Sequence, residues 1–528
     1  MSGPLVAIDE RVPMRDGTRL AADVVRFDDG VPRPVALVRT PYARAAGRGQ
    51  HDPIGIARRG WHVVIQDVRG RYDSEGTFDV FHQERRDGAD TVAWCAEQPW
   101  CDGRVVMLGG SYVGATQWLA AMERPPALKA ISPLVSASTF DEGWTFQGGV
   151  REAGFVDTWA LGFAGGDESL SARDRKRAVT LSRDFDTFYR RADDGELERL
   201  FPAFARLRDP ANRAFWDPID VSKRHRTLDV AAFHVAGWYD VFCEGSLRGY
   251  TGMVANAATE YARASQRLVV GPWTHGGLYF NLTAEMDFGL DANALVADLP
   301  NQMLDWLHDA ADGKEVEGGV RVFVMGRNRW LDLPSWPPPS TPRTFFLDEG
   351  GRLSDAPGDA GRDTYDYDHD DPVPTRGGRQ LGPYLPLAGP SDQRVNEARA
   401  DVLVYTSAPL SRDLTAIGMV TAEVVVASTA PSADVVVKVV DVWPDGRAFN
   451  VVDTIQRVAL TPGRAKTVRI DVGSTAQTFR RGHRLRVEVT SSNFPRFERN
   501  VSATQTVLRG GRRPSSVTLP VVAPAVGT

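Results

Sequence analysis

The chain has 528 residues and a formal net charge of −6, with 62 Lys and Arg against 68 Asp and Glu. This balance gives no reason to expect binding to nucleic acid, and no apolar run is long enough to cross a bilayer. Three cysteines are too few for a disulfide framework and have no metal-ligand spacing, so we expect reduced thiols and no metal. Since no signal peptide is visible, we expect a cytoplasmic protein of about three domains without a cofactor.

Strands and helices alternate in the first part of the chain. Residues 5–40 are broken at Asp16-Gly17 and Asp29-Gly30 and predict an antiparallel hairpin that enters a sheet. Further strands are predicted at 35–39, 61–67, 105–108 and 128–132, with helices at 54–59 and 82–98. This alternation is typical of a parallel, doubly wound sheet.

The alternation stops near residue 141, and residues 142–217 are helix-prone. We interpret this segment as a helical cap over the sheet edge that shapes a pocket, although an unrelated helical appendage stays open. The sheet then resumes with strands at 230–237, 266–271 and 320–325 and a helix at 297–311. The aromatic residues of the segment are Trp144, Phe146, Phe155, Trp159, Phe163, Phe188 and Phe201.

Residues 340–528 consist of short alternating runs rich in Val and Thr, which predict a β-sandwich or jelly roll. The stretch 354–379 is rich in Asp, Gly and Pro, and we expect it to be a surface loop. The predicted domains are therefore a catalytic domain (1–141 and 218–335), a helical cap domain (142–217) and a C-terminal β domain (340–528).

A serine lies between a predicted strand and a predicted helix. Val105–Leu108 form the strand, and Gly109-Gly110-Ser111-Tyr112-Val113-Gly114 form the turn before the helix. This context suits a nucleophile elbow, in which a sharp turn exposes the serine at a helix N-terminus. The turn departs from G-x-S-x-G because Val113 occupies the place of the second glycine, and a plain turn is the alternative.

Two further residues complete the order Ser, Asp, His that an α/β-hydrolase requires. Asp240 and His275 each follow an apolar strand, as Ser111 does. Asp240 would orient the imidazole of His275, which would take and return the serine proton. Considered alone, Asp240 could be a turn or cap carboxylate, and His275 could be a structural histidine. Three strand-end positions in the right order nevertheless favour a catalytic triad.

An oxyanion hole needs two hydrogen-bond donors. The backbone amide of Tyr112, directly after the nucleophile, is one candidate. Tyr42 follows the strand 35–39 and could donate its hydroxyl, although a packing role is equally compatible with its spacing.

These motifs together resemble the family of cocaine esterases and X-prolyl dipeptidyl peptidases, which also contains α-amino acid ester hydrolases and glutaryl-cephalosporin acylases. The resemblance covers nearly the whole chain and is weakest in the cap. It is carried by Thr40-Pro41-Tyr42, Asp67-Val68-Arg69-Gly70, Gln98-Pro99-Trp100, Gly109-Gly110-Ser111-Tyr112-Val113-Gly114, Gly237-Trp238-Tyr239-Asp240 and Gly271-Pro272-Trp273-Thr274-His275, and continues through Val324-Met325-Gly326, 401–407 and 482–486.

The resemblance implies an α/β-hydrolase domain, a helical cap and a C-terminal jelly roll. It also implies that Ser111 is the nucleophile, Asp240 the acid and His275 the base, with the Tyr42 hydroxyl and the Tyr112 amide as oxyanion donors. The elbow of the family reads G-x-S-Y-x-G, which accommodates Val113.

Two positions depart from the family pattern. Arg44 stands where relatives often have lysine. The carboxylates by which α-amino acid ester hydrolases hold a substrate ammonium are not found next to Asp240, where Glu244 is the nearest acid. This difference favours a neutral acyl group, although Glu244 and the cap acids Asp141 and Glu142 leave an amino-ester substrate open.

The sequence therefore predicts a serine hydrolase that cleaves carboxylic esters of bulky or aromatic acyl or alcohol groups. An amidase or peptidase, an acyltransferase, and an inactive hydrolase with a carbohydrate-binding β region are the alternatives. The substrate would be a small-molecule ester or amide, with neither nucleic acid nor membrane as partner, and the oligomeric state, including a homodimer, stays open. Candidate pocket residues are Trp144, Phe146, Trp159, Trp238 and Trp273, for each of which core packing is an equal interpretation.

Overall fold

A computed structural model describes residues 5–184, 194–382 and 388–523, so Phe188 lies outside the described residues. In the first region, β1 and β2 form the predicted antiparallel hairpin, and β3 to β6 are parallel strands separated by helices. The elements are β1 (Leu5–Pro13), β2 (Arg19–Arg26), β3 (Arg33–Thr40), α1 (Arg44–Gln50), α2 (Pro53–Arg58), β4 (His62–Asp67), α3 (Glu84–Glu97), β5 (Cys101–Gly110), α4 (Tyr112–Ala121) and β6 (Leu128–Leu134).

The segment predicted as a cap is helical in its described part, apart from one short hairpin at its start that the sequence did not indicate. Residues 141–146 form a tight turn before the hairpin, and Gly148 and Gly149, both at positive φ, form the loop between its two strands. The elements are β7 (Phe146–Gln147), β8 (Val150–Arg151), α5 (Ala153–Gly165), α6 (Ala172–Arg183), α7 (Asp194–Leu200), α8 (Phe204–Leu207) and α9 (Arg213–Trp216).

The first sheet then continues and reaches ten strands, in the order β1-β2-β4-β3-β5-β6-β9-β10-β13-β14. Its central strands are parallel, so their carboxyl ends meet at one edge, where ligands bind in open α/β sheets. After a 3₁₀ turn at Val221–Thr227, the elements are β9 (Ala231–Tyr239), α10 (Cys243–Asn256), α11 (Glu260–Ala264), β10 (Gln266–Thr274), β11 (Leu282–Thr283), β12 (Met286–Asp287), α12 (Leu299–Ala311), β13 (Gly319–Val324) and β14 (Arg329–Leu333).

The C-terminal region is mostly β, as expected, and its strands form an 11-stranded sheet. One expectation is wrong: the stretch 354–379 is not all loop, because β17 pairs along its full length with β24. The jelly-roll arrangement and the proposed domain limits stay predictions. The elements are β15 (Thr341–Asp348), β16 (Arg352–Ser354), β17 (Gly361–Tyr367), α13 (Arg394–Glu397), β18 (Leu403–Thr406), β19 (Leu414–Ser428), β20 (Ser432–Val442), β21 (Ala448–Ala459), β22 (Lys466–Phe479), β23 (Arg484–Thr490), β24 (Ala503–Arg509) and β25 (Ser516–Val521).

Separate apolar cores hold these layers together. One core joins one face of the first sheet to α3, α4 and the cap helices, and a second joins the opposite face to α2 and α12. Another cluster combines Trp238 and Phe323 of the first sheet with Ile417 and Ala476 of the C-terminal sheet, so the two sheets share buried apolar surface. Among the described residues, no helix is both long and apolar enough to cross a membrane.

Candidate active site

Ser111 lies in a strained turn between β5 and α4. Its φ is 61° and its ψ is −130°, an unfavourable backbone region for any residue with a side chain. The turn closes only because Gly109 has no side chain: a Cβ there would approach Cγ1 of Val113 to 2.4 Å. Val113 itself packs in the core, and Gly114 lies against Ser136, where a Cβ would meet the Ser136 Cβ at 2.5 Å. The two glycines and Val113 thus fix the turn that presents Ser111.

Asp240 and His275 form a hydrogen-bonded pair at the carboxyl ends of β9 and β10. The imidazole Nδ1 donates to Oδ1 of Asp240 over 2.8 Å, and the Asp240 side chain is buried. On its other side, the imidazole ring packs edge-on against Phe242, with ring centroids 5.1 Å apart. With Nδ1 bound to the carboxylate, Nε2 is the nitrogen left to exchange a proton with a serine or a substrate.

Tyr42 lies beside Ser111, near enough for the two side-chain hydroxyls to interact. Trp159 Nε1 donates to the Tyr42 hydroxyl over 3.0 Å, and the Tyr42 ring stacks on Phe163. Because an indole N–H can only donate, the Tyr42 proton stays available for another acceptor. Burial raises the pKa of Tyr42 to about 12, so the hydroxyl remains protonated at neutral pH.

The Tyr112 side chain anchors the elbow in the core. Its hydroxyl donates to Oε1 of Glu84 over 3.2 Å and accepts from the backbone N–H of Phe81 over 2.8 Å. Glu84 in turn pairs with Arg39 at 2.8 Å, and both of these side chains are fully buried. The sequence analysis missed this pair; its signal was Arg39, a charged residue at the end of an apolar strand. The contacts hold the residue whose amide is the candidate oxyanion donor.

Glu84 makes the stability of the fold depend on pH. Burial raises the pKa of its carboxyl from 4.5 to about 7, so the folded chain binds this proton more tightly than the unfolded chain does. The contribution of Glu84 to the free energy of unfolding therefore falls as pH rises between these values. Glu84→Gln has no carboxyl that can ionise. We therefore expect the Tm of this variant, minus the Tm of the wild type at the same pH, to increase from pH 5 to pH 8, as measured by calorimetry. Glu97→Gln, an exposed change on the same helix, is the control; a Tm difference for Glu84→Gln that does not vary with pH would contradict this account.

A cavity of about 1270 Å³ has both Ser111 and His275 in its wall. Most of its apolar lining residues belong to the cores on the two faces of the first sheet, and they form two distinct walls. The cap-side wall consists of Tyr42, Phe155, Thr158, Trp159 and Leu381. The helix-side wall consists of Ile56, Val113, Val135, Leu278, Met303 and Leu304.

Of the five aromatic residues predicted to line the pocket, the structure brings Trp159 to the cavity. Trp238 and Trp273 are core residues, a correction of the prediction: each indole donates to a backbone carbonyl, of Phe323 and of Ala292. These bonds and full burial satisfy both side chains without a ligand.

The two other predicted pocket residues lie behind the cavity. Trp144 stacks on Phe242 with centroids 3.9 Å apart, and Phe242 contacts His275. Phe146 packs against Trp216, and both Trp144 and Phe146 border a separate cavity of about 330 Å³. The prediction is corrected here too, because Trp144 supports the ring next to His275 and does not line the cavity with Ser111. Phe155 and Thr158, on the same face of α5 as Trp159, are pocket residues that the sequence analysis did not select.

Comparison with known proteins identifies the family. Residues 16–277 match the model of the X-Pro dipeptidyl-peptidase (S15) family, and residues 312–518 match that of the X-Pro dipeptidyl-peptidase C-terminal non-catalytic domain. The chain is 35% identical to cocaine esterase of Rhodococcus sp. (strain MB1 Bresler), over 98% of each chain. This chain belongs to the S15 family.

Two solved structures share the fold over nearly the whole chain. An aminopeptidase from a marine sediment Thaumarchaeota archaeon superposes with a TM-score of 0.84 at 24% identity, covering 98% of this chain and 97% of the other. An α-amino acid ester hydrolase superposes with a TM-score of 0.83 at 23% identity, covering 99% and 97%. The architecture is thus that of an α/β-hydrolase with a C-terminal β domain, and membership in the S15 family makes the chain a serine hydrolase.

The acids that left an amino-ester substrate open do not line the cavity of this S15 hydrolase. Glu244 pairs with the buried Arg379 at 2.7 Å, and Asp141 pairs with Arg213 at 2.8 Å. Glu142 accepts from the backbone N–H of Gly148 and borders the smaller cavity. The described residues contain no His, Cys, Asp or Glu cluster able to hold a metal ion. The three cysteines are buried free thiols, as predicted.

Arg44, at the position where relatives often have lysine, is a structural residue. Its guanidinium contacts Asp23 at 3.0 Å and Asp67 at 2.8 Å, and its backbone N–H also donates to Asp67. The planar fork of arginine can bind both carboxylates at once, which a lysine ammonium does less well. These contacts fix the loop that follows β3 and carries Tyr42.

Proposed function

We propose that this chain hydrolyses neutral carboxylic esters through an acyl-enzyme on Ser111. The observation that carries the proposal is the Asp240–His275 hydrogen bond of 2.8 Å in the wall of a cavity shared with Ser111 and Tyr42. Ser111, Asp240 and His275 supply a nucleophile, a base and a group that orients the base, which is the set that acyl transfer needs.

In the acylation step, the Ser111 hydroxyl turns towards His275 and attacks the ester carbonyl. Nε2 of His275 takes the serine proton, and the carboxylate of Asp240 stabilises the imidazolium that forms. The Tyr42 hydroxyl and the Tyr112 amide donate to the carbonyl oxygen as it becomes negative. The imidazolium then gives its proton to the alcohol oxygen, the C–O bond breaks and the alcohol leaves.

Deacylation repeats these steps with water. His275 takes a proton from the water as it attacks the acyl carbon, and the same two donors stabilise the oxyanion. When the intermediate collapses, the proton returns to Ser111 and the acid is released. An acyltransferase would differ only in using an alcohol or amine in place of water.

The lining of the cavity supports a neutral substrate. Asp52 is the sole carboxylate on the wall within the described residues, and it caps α2 by accepting from the Gly55 N–H over 3.1 Å. An ammonium group would therefore enter an apolar cavity without a free carboxylate, which is costly. The apolar and aromatic walls instead favour a bulky or aromatic ester, as the sequence predicted.

A peptidase acting after proline is the second candidate, and the family match supports it. The kcat/KM values for p-nitrophenyl benzoate and p-nitrophenyl butyrate, compared with those for Gly-Pro and Ala-Pro p-nitroanilides, separate the two. We expect hydrolysis of the esters and little of the anilides, and a preference for the anilides would overturn the ester assignment. Ser111→Ala should abolish either activity, whereas Ser169→Ala, an exposed serine of the cap, serves as the matched control and should not.

We also propose a cytoplasmic location, which the three buried free thiols support.

A further inference from the structure

The cavity is larger than an aromatic acyl group requires. Its volume of about 1270 Å³ exceeds the range of roughly 300–1000 Å³ that is usual for a small-molecule site. The cap-side wall carries the Tyr42 hydroxyl and Trp159, and these place the oxyanion on that side of Ser111. The helix-side wall belongs to the other core of the first sheet and has no part in the reaction described above.

The loop after His275 connects the base to the helix-side wall. Gly276 and Leu278 line the cavity directly after His275, and Leu278 packs in the same core as Met303 and Leu304 of α12. Because His275 must protonate the departing oxygen, the alcohol part of the ester lies against its imidazole. The alcohol part is therefore directed towards this loop and the helix-side wall, and the acyl part towards the cap-side wall.

His51 is a polar residue that lines the cavity near the helix-side wall. Its ring comes within 3.3 Å of the place where a Cβ on Gly109 would lie, two residues before the nucleophile. No hydrogen bond joins its imidazole to another residue in the part of the chain that the structure describes. Of the other polar residues near His51, Asp52 caps α2 and Arg59 donates to Asn301 over 2.9 Å, whereas Gln50 is exposed to solvent. Burial lowers the pKa of His51, so the ring is neutral and presents one N–H donor and one acceptor.

Resting on the proposed function, we propose that the helix-side wall binds the alcohol part of the ester, as a hydrocarbon group that carries a hydrogen-bond acceptor near the ester oxygen. Ile56, Val135, Leu278 and Met303 surround the hydrocarbon, and His51 donates to the acceptor. The enzyme thus selects its substrates by the alcohol as well as by the acid, with a separate wall for each.

The first test compares benzoate esters on the wild-type enzyme. We expect kcat/KM for 2-phenylethyl benzoate to exceed that for methyl benzoate by about tenfold or more, because the added carbons enter an apolar pocket. Leaving-group chemistry contributes little, since both alcohols are unactivated. Equal or lower kcat/KM for the larger alcohol overturns the proposal. If neither benzoate is hydrolysed and Ser111 does not react, the proposed function itself has failed.

Variants then assign the wall. Met303→Trp fills the helix-side wall, and we expect it to reduce kcat/KM for 2-phenylethyl benzoate by about tenfold while methyl benzoate changes less than about twofold. Thr158→Phe is the corresponding change on the cap-side wall. It should instead lower kcat/KM for methyl 2-naphthoate, which has the larger acyl group, more than for methyl benzoate. The reverse pattern overturns the assignment, and Leu278→Phe replaces Met303→Trp if that variant does not fold.

His51 is tested with 2-methoxy-2-phenylethyl benzoate, which adds one acceptor to the hydrocarbon ester. His51→Leu should lower kcat/KM for this ester by about tenfold relative to 2-phenylethyl benzoate, the effect of one lost hydrogen bond. His51→Gln keeps an N–H donor and should recover most of the loss. If His51→Leu affects both esters equally, His51 does not bind the alcohol part.

Discussion

Asp240→Asn should lower kcat by about 10⁴ without unfolding the protein. The asparagine amide can donate to Nδ1 of His275, which places the ring proton on Nε2. Nε2 then cannot accept the Ser111 proton, although the 2.8 Å contact and the position of the ring are kept. The loss should therefore appear in kcat for every ester, with KM nearly unchanged, because the walls of the cavity are not altered.

The C-terminal domain supplies a matched control. Asp441 accepts from Nδ1 of His483 over 2.9 Å, so the chain contains a second buried Asp–His pair of nearly the same geometry outside the cavity. Asp441→Asn should leave kcat within about twofold of the wild type once the folded fraction is matched by circular dichroism. Equal losses in the two variants would mean that Asp240 acts through stability alone.

Tyr42→Phe should lower kcat by about 10² to 10³, the range for loss of one oxyanion donor. The ring still stacks on Phe163, so the loop after β3 keeps its packing, but Trp159 Nε1 loses its acceptor. Since the interaction is strongest when the carbonyl oxygen is charged, KM should change much less than kcat.

A buried tyrosine elsewhere distinguishes catalysis from packing. Tyr365 shares a hydrogen bond of 2.8 Å with Ser491 inside the C-terminal domain. Tyr365→Phe should lower stability by about 1 kcal/mol and leave kcat unchanged. If Tyr42→Phe also affects stability alone, the Tyr112 amide must be joined by another donor, and the proposed oxyanion hole is incomplete.

The candidate nucleophile, base and acid could be selected from the sequence because each follows an apolar strand, and strand ends of a parallel sheet meet at one edge. The alternating runs also located many of the strands, from the hairpin of β1 and β2 to β20 and β21, although the order of the strands in the sheets was not predicted. Strand β17 was missed because turn-forming Asp and Gly residues surround it, and its pairing with the distant β24 overrides that local signal.

The lining of the cavity was harder to predict. The aromatic residues considered for the pocket belong to three apolar cores as well as to the cavity, and only the packing separates Trp159 from Trp238 and Trp273. The buried pair of Arg39 and Glu84 was missed because charged side chains are rarely buried, and each is tolerated here through the other. The helix-side wall combines residues of α2, α4 and α12 with Val135 and Leu278 of two loops, and their contacts depend on the tertiary fold and not on any local motif.

The central claim is that Ser111 is the nucleophile, and covalent labelling tests it most directly. The wild type should react with a fluorophosphonate probe at one equivalent per chain, and peptide mapping should find the label on the peptide that contains Ser111. Ser111→Ala should not be labelled, while Ser169→Ala should label at the wild-type rate. Labelling that persists in Ser111→Ala, or maps to another residue, would contradict the account.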